Sequence, residues 1–189
     1  MIPIIPPAIP HEIPRFDVPL FYQIGDISSV EWQKKGCGVA DVAMIVEFYK
    51  PNTTTVQEVL EEAIVAGAYV KNVGWSHVGL AALAKKHDLV GRTFDLSKSN
   101  KEAAFNQFKN IVTEGPAIAS IHRGFDPKSP YGHLIVITGF DKDFIYYNDP
   151  GKREGIRKVS VADFNNGGWK KRLIVLRPPE PKIEIAQAR

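Results

Sequence analysis

The chain has 189 residues, 44% of them hydrophobic, which suits one domain long enough to bury a sizeable core. Its 24 basic and 21 acidic residues are mixed along the sequence, so the net charge of +3 forms no nucleic-acid-binding stripe. A single cysteine excludes an intramolecular disulfide and a cysteine-based zinc cage, and five histidines without tight ligand spacing argue against a metal site.

The first stretch, Met1-Ile2-Pro3-Ile4-Ile5-Pro6-Pro7-Ala8-Ile9-Pro10, has no basic leader and its prolines break any apolar helix. No apolar run reaches the roughly 20 residues of a membrane span. The expectation is a cytoplasmic chain with no membrane span, with a secreted form lacking its leader as the alternative. The expected organisation is a proline-rich arm over residues 1–16, a folded body over 17–177 and a tail over 178–189.

The first half of the body reads as helices. Gly38 to Tyr49 is apolar on most sides, the pattern of a buried helix. Thr55 followed by Glu58 predicts a capping box, opening a helix through Val59, Leu60, Ala63 and Ile64 that stops near Gly67. Ser76 or its neighbour caps a third, Val78 to His87, with Leu80, Leu83 and Ala84 inward. A fourth runs from about Lys101 to Thr113, with Phe105, Phe108, Ile111 and Val112 at helical spacing. The second half reads as strands: Ala117 to Ile121, His133 to Phe140, Phe144 to Asn148, Gly155 to Val159 and Arg172 to Leu176. A short helix over Val161 to Phe164 precedes the last of them. Helices first and closely linked strands second predict an α+β fold with an antiparallel sheet.

Two distant segments carry the chemistry. Gln33-Lys34-Lys35-Gly36-Cys37-Gly38 places the cysteine at a helix start, where the dipole favours thiolate. Lys34 and Lys35 would act the same way if near, and Asp41 slightly against. The other segment supplies His133 and Asp149. A three-residue loop, Asp141-Lys142-Asp143, would set Phe140 opposite Phe144 and Ile135 opposite Asp149. His133 and Asp149 would then be diagonal neighbours on one face, whereas a two-residue loop would send them to opposite faces. Thiol, imidazole and carboxylate are the parts of an activated sulfur nucleophile. The Cys37 N–H can hold an oxyanion, and a second donor is a side-chain amide, Gln23 or Gln33, which spacing does not separate. Asn148 points to the face opposite Asp149, and His122, the rival base, reads as structural.

These residues resemble the peptidase family 39-like domain. The resemblance is carried by Val18-Pro19-Leu20-Phe21-Tyr22-Gln23, Gly36-Cys37-Gly38-Val39-Ala40, Gly132-His133 before an apolar strand, and Tyr147-Asn148-Asp149-Pro150. It covers about residues 17 to 177 and implies a papain-like fold. Cys37 is then the nucleophile, His133 the general base and acid, and Asp149 the orienting carboxylate. The Val-Pro-aromatic-Gln context makes Gln23 the oxyanion donor, with Gln33 the runner-up. The implied activity is a cysteine peptidase acting on a peptide or protein through a thioester, without cofactor or metal. The alternatives are a catalytically silent peptide-binding domain and a transglutaminase-type acyltransferase. Two positions depart from the family pattern: Val39 stands where proline is common, and Glu31 where papain-like enzymes have glutamine six residues before the cysteine. With no Gly-x-x-x-x-Gly-Lys loop in the chain, double-glycine specificity is not carried over.

Overall fold

The computed structural model describes residues 15–180; the expected arm, apart from residues 15 and 16, and the tail beyond 180 lie outside them. Two single-turn helices, α1 (Gln23–Asp26) and α2 (Val30–Gln33), lead into α3 (Cys37–Tyr49). Helix α3 begins at the cysteine itself, and every residue from Gly38 to Val46 is buried. A helix apolar nearly all round belongs in a core. The anomaly in that run is Asp41.

Helix α4 (Val56–Val65) opens with the expected capping box. The Thr55 hydroxyl accepts from the Glu58 N–H at 3.2 Å and the Thr55 N–H donates to the Glu58 carboxylate at 2.8 Å. Gly67, at φ 65°, follows its end. A small hairpin not evident from the sequence follows, β1 (Tyr69–Val70) with β2 (Gly74–Trp75). Helix α5 (His77–Leu83) is capped by Ser76 and continues as a 3-10 turn to His87.

After these come β3 (Val90–Asp95), α6 (Lys101–Thr113), β4 (Ala117–His122), a 3-10 turn (Arg123–Phe125), β5 (Gly132–Phe140), β6 (Phe144–Asn148), β7 (Arg157–Ser160), α7 (Val161–Asp163), a π-helical turn (Phe164–Gly168) and β8 (Trp169–Arg177). Among the described residues, six strands form one antiparallel sheet in the order β3-β8-β4-β5-β6-β7. Strand β7 starts two residues later than the pattern predicts, and β8 extends beyond its predicted limits at both ends. Strand β3 is new: it is an edge strand with no buried residue, so it carries no alternation to read.

Helices α3, α4 and α5 cover one face of the sheet, over Ile118, Leu134, Val136, Ile174 and Leu176. Helix α6 covers the other, with Phe108 against a layer that includes Ile121, Ile135, Ile137 and Val175. Strand β5 is therefore buried on both sides, which is why its sequence runs apolar without alternation.

The turn between β5 and β6 differs from the expected three-residue loop. Phe140 pairs with Ile145, not Phe144, and Gly139 with Tyr146. The turn is tight at Lys142-Asp143, because Asp141 Oδ1 accepts from the N–H groups of Asp143 (2.8 Å) and Phe144 (2.7 Å). An even loop alone would put His133 and Asp149 on opposite faces. A bulge at Thr138 shifts the register by one residue, so that Ile137 pairs with Tyr147 and Val136 with Asn148. Continued one step further, that register sets Ile135 opposite Asp149. The expected alignment is reached by a different route.

Candidate active site

Cys37 sits where α3 begins, beneath the first residues of β5. The glycines on either side are there for space. A side chain at Gly36 would collide with Ile27, and at Gly38 a Cβ would lie 2.8 Å from Leu80 and 2.9 Å from the Trp75 ring. Trp75 also donates its indole N–H to the Lys35 carbonyl at 2.6 Å, tying the β1–β2 hairpin to the chain before Cys37.

His133, half-buried, places Nε2 at 2.7 Å from Asp149 Oδ1. That oxygen also accepts from the Gly151 N–H at 2.9 Å. The other ring nitrogen is left for the thiol. Gln23 is buried and lines the same cleft as Cys37 and His133. Its Nε2 donates to the Gln33 carbonyl at 2.7 Å, and its backbone N–H donates to the Pro150 carbonyl at 2.9 Å. The Gln23 backbone is thus held against the loop that carries Asp149, and its side-chain amide against the chain just before Cys37.

The rival candidates are turned elsewhere. Gln33 donates its side-chain amide to the Ile27 carbonyl at 2.9 Å. Asn148 donates to the Val18 carbonyl at 2.8 Å. His122 Nδ1 lies 3.2 Å from the Ser129 carbonyl oxygen. Glu31 is exposed and pairs with Lys35 at 3.0 Å. Cleft-lining residues that sequence reading passed over are Tyr69, Trp75, Arg123 and Lys170. Asn72 (φ 64°) in the turn and Gly74 (φ 111°) at the start of β2 shape the hairpin that presents Trp75.

The family model of the Peptidase_C39 like family matches residues 15–172 of this chain. The chain belongs to that family. No curated protein matches it. Among solved structures, this C39-like domain is similar to a double glycine motif protease from an AMS/PCAT transporter in complex with the leader peptide. That match has 20% identity and a TM-score of 0.59, over 87% of this chain and 94% of the other. It is similar to a putative C39-like peptidase from Bacillus anthracis, with 18% identity and a TM-score of 0.60, over 87% and 96% of the two chains. It is also similar to the peptidase domain of Streptococcus ComA, a bi-functional ABC transporter involved in a quorum sensing pathway. There the identity is 18% and the TM-score 0.55, over 77% and 93%. The fold is the papain-like fold of C39 peptidase domains.

Electrostatics in this C39-like domain favour an ion pair. Burial pushes the Cys37 thiol up, but the adjacent His133 outweighs it, and the Leu134 and Gly38 N–H groups help, so its pKa is lowered. Burial works against a charged His133, yet Asp149 and Cys37 together raise it to about 10. Burial also works against ionised Asp149, and the imidazole more than compensates, lowering its pKa. Lys34 and Lys35 are not among the groups that set the thiol. Asp41, one turn into α3, is the exception: fully buried, with neither carboxylate oxygen hydrogen-bonded among the described residues. Burial, and then the charge of Cys37, raise its pKa well above the usual carboxylate range.

Proposed function

We propose that this protein is a cysteine peptidase that cleaves peptide bonds through a thioester acyl-enzyme. The observation that carries the reading is the His133 ring held between Asp149, at 2.7 Å, and the Cys37 thiol, whose pKa it lowers. The Cys37 thiolate attacks an amide carbonyl carbon, and the carbonyl electrons move to oxygen. The Cys37 N–H at the start of α3 and the Gln23 amide stabilise that oxyanion. His133, as imidazolium, gives its proton to the leaving amine. Water then attacks the thioester as His133 takes back a proton, and the acid product leaves Cys37 as thiolate. Asp149 stays ionised throughout and holds the ring with Nε2 toward itself. Membership of a peptidase family, and likeness to a protease bound to a leader peptide, support a peptide as substrate.

The test is peptide hydrolysis together with the pH dependence of Cys37 alkylation. Wild type should label rapidly well below pH 8.5, the reference thiol value, and His133→Ala should lose that advantage. Slow labelling with an ordinary thiol profile would refute the reading.

A further inference from the structure

We infer that the cleft is built to take acidic peptides, an inference that rests on reading Cys37 and His133 as its reacting pair. A pocket of about 370 Å³ opens on the Cys37 side and one of about 750 Å³ on the Asp149 side. Both are bounded by Gln23, Lys34, Arg123 and His133, so they are two arms of one cleft meeting at the pair. Lys34 and Arg123 stand at its middle. Lys35 and Lys170 line the first arm, and Lys152 and Arg157 the second.

The charge of this lining departs from that of the chain. The protein as a whole has 24 basic and 21 acidic residues. The cleft gathers the six cations just named around what is, among the described residues, a single carboxylate, Asp149, already committed to His133. Among the described residues, only Lys35 of the six is in an ion pair, with Glu31 at 3.0 Å. Uncompensated like charges in a concave site repel one another and focus a positive potential along it. An extended peptide with Asp or Glu on both sides of the scissile bond relieves that repulsion. A lysine- or arginine-rich peptide adds to it. Because the cations flank the thiol on both arms, the preference covers residues before and after the cleaved bond.

The test uses the full chain with Cys37→Ala, which cannot turn over, and labelled peptides of equal length that differ only in Glu, Gln or Lys at the flanking positions. Fluorescence anisotropy should show the Glu peptide binding about tenfold tighter than the Gln peptide, with the advantage lost at high salt. Lys34→Glu/Arg123→Glu in this background should abolish the preference. Lys152→Glu/Arg157→Glu gives the same readout in the second arm if the first pair misfolds. Lys86→Glu/Lys98→Glu, an equal charge change away from the cleft, should leave the preference intact. Equal binding of the three peptides overturns the inference, and so does loss of preference in the remote variant. So does an oligonucleotide that displaces the Glu peptide at matched charge. Wild type that cleaves nothing, with Cys37→Ala still preferring the Glu peptide, defeats the peptidase reading and upholds this one. Cleavage indifferent to flanking charge does the reverse.

Discussion

The backbone N–H of Phe16 donates to the Thr138 carbonyl at 2.7 Å, at the residue where β5 slips against β6. A bulge leaves a residue unpaired in the ladder, and here the entering chain takes up its carbonyl. Two residues on, the Val18 carbonyl accepts from Asn148 at 2.8 Å. The segment before α1 is thus stitched to both strands that present His133 and Asp149. The slip that aligns those two side chains is held from outside the sheet.

Asn148→Ala tests the stitch. Asn148 is 1% exposed, so the lost donor leaves the Val18 carbonyl unpaired in a buried place. The expected loss is about 1–3 kcal/mol, read as a lower urea midpoint. The folded variant should keep the wild-type pH profile of Cys37 alkylation, because Asn148 faces away from His133. A shifted alkylation profile at unchanged stability would make Asn148, not Asp149, the residue that orients the ring.

Asp149→Asn should separate charge from shape at the neighbouring position. The amide can still accept from Gly151, but it no longer stabilises a charged imidazole. His133 should then lose part of its upward shift, and the thiolate should form at higher pH. Alkylation of Cys37 should move toward the ordinary thiol range, and kcat/KM for a peptide should fall by about 10²-fold or more. An unchanged profile would remove Asp149 from the mechanism.

Gln23 and Gln33 make a matched pair of tests. Each side-chain amide makes one hydrogen bond, Gln23 to the Gln33 carbonyl and Gln33 to the Ile27 carbonyl, but Gln23 lines the cleft and Gln33 does not. Gln23→Ala should lower kcat by about 10²–10³-fold while Cys37 alkylates at its normal rate, because the oxyanion donor matters only once a carbonyl is attacked. Gln33→Ala should lower stability by about 1 kcal/mol and leave kcat near wild type. The opposite pattern would transfer the oxyanion role to Gln33.

Much of this site could be read from residue order alone, and the reasons are local. The capping box at Thr55 and Glu58, the Ser76 cap and the buried α3 are set by neighbours a few residues apart. The glycines around Cys37 announced a tight place, though not that Ile27, Leu80 and Trp75 make it so. What could not be read depends on distant partners. Thr138 carries no mark of a bulge: the slip exists because Asp141 tightens the turn while both faces of β5 must stay buried. Strand β3 exists because β8 offers it an edge. The cations of the cleft come from four separate stretches of chain, Lys34-Lys35, Arg123, Lys152 to Arg157 and Lys170, and only the fold brings them together.

Asp41 bears on stability, and its sign is definite. Its folded-state pKa lies well above the usual 3.8, chiefly because burial disfavours the charge. A raised acid binds its proton more tightly folded than unfolded. Its effect on stability is therefore constant below pH of about 4, and stability falls as pH rises from there toward the folded pKa, by up to about 1.4 kcal/mol per pH unit. Asp41→Ala removes this term, along with two oxygens that have no hydrogen-bond partner among the described residues. The variant should gain stability over wild type at neutral pH and much less near pH 4. Urea unfolding of both proteins across that range reads the difference directly. A gap that does not widen with pH would mean that Asp41 folds with its charge intact. Cys37 is the next-largest influence on Asp41, so the coupling should run both ways. Without the carboxyl, Cys37 should alkylate at the same pH or lower, never higher, because the only charge Asp41 can bring to α3 opposes the thiolate.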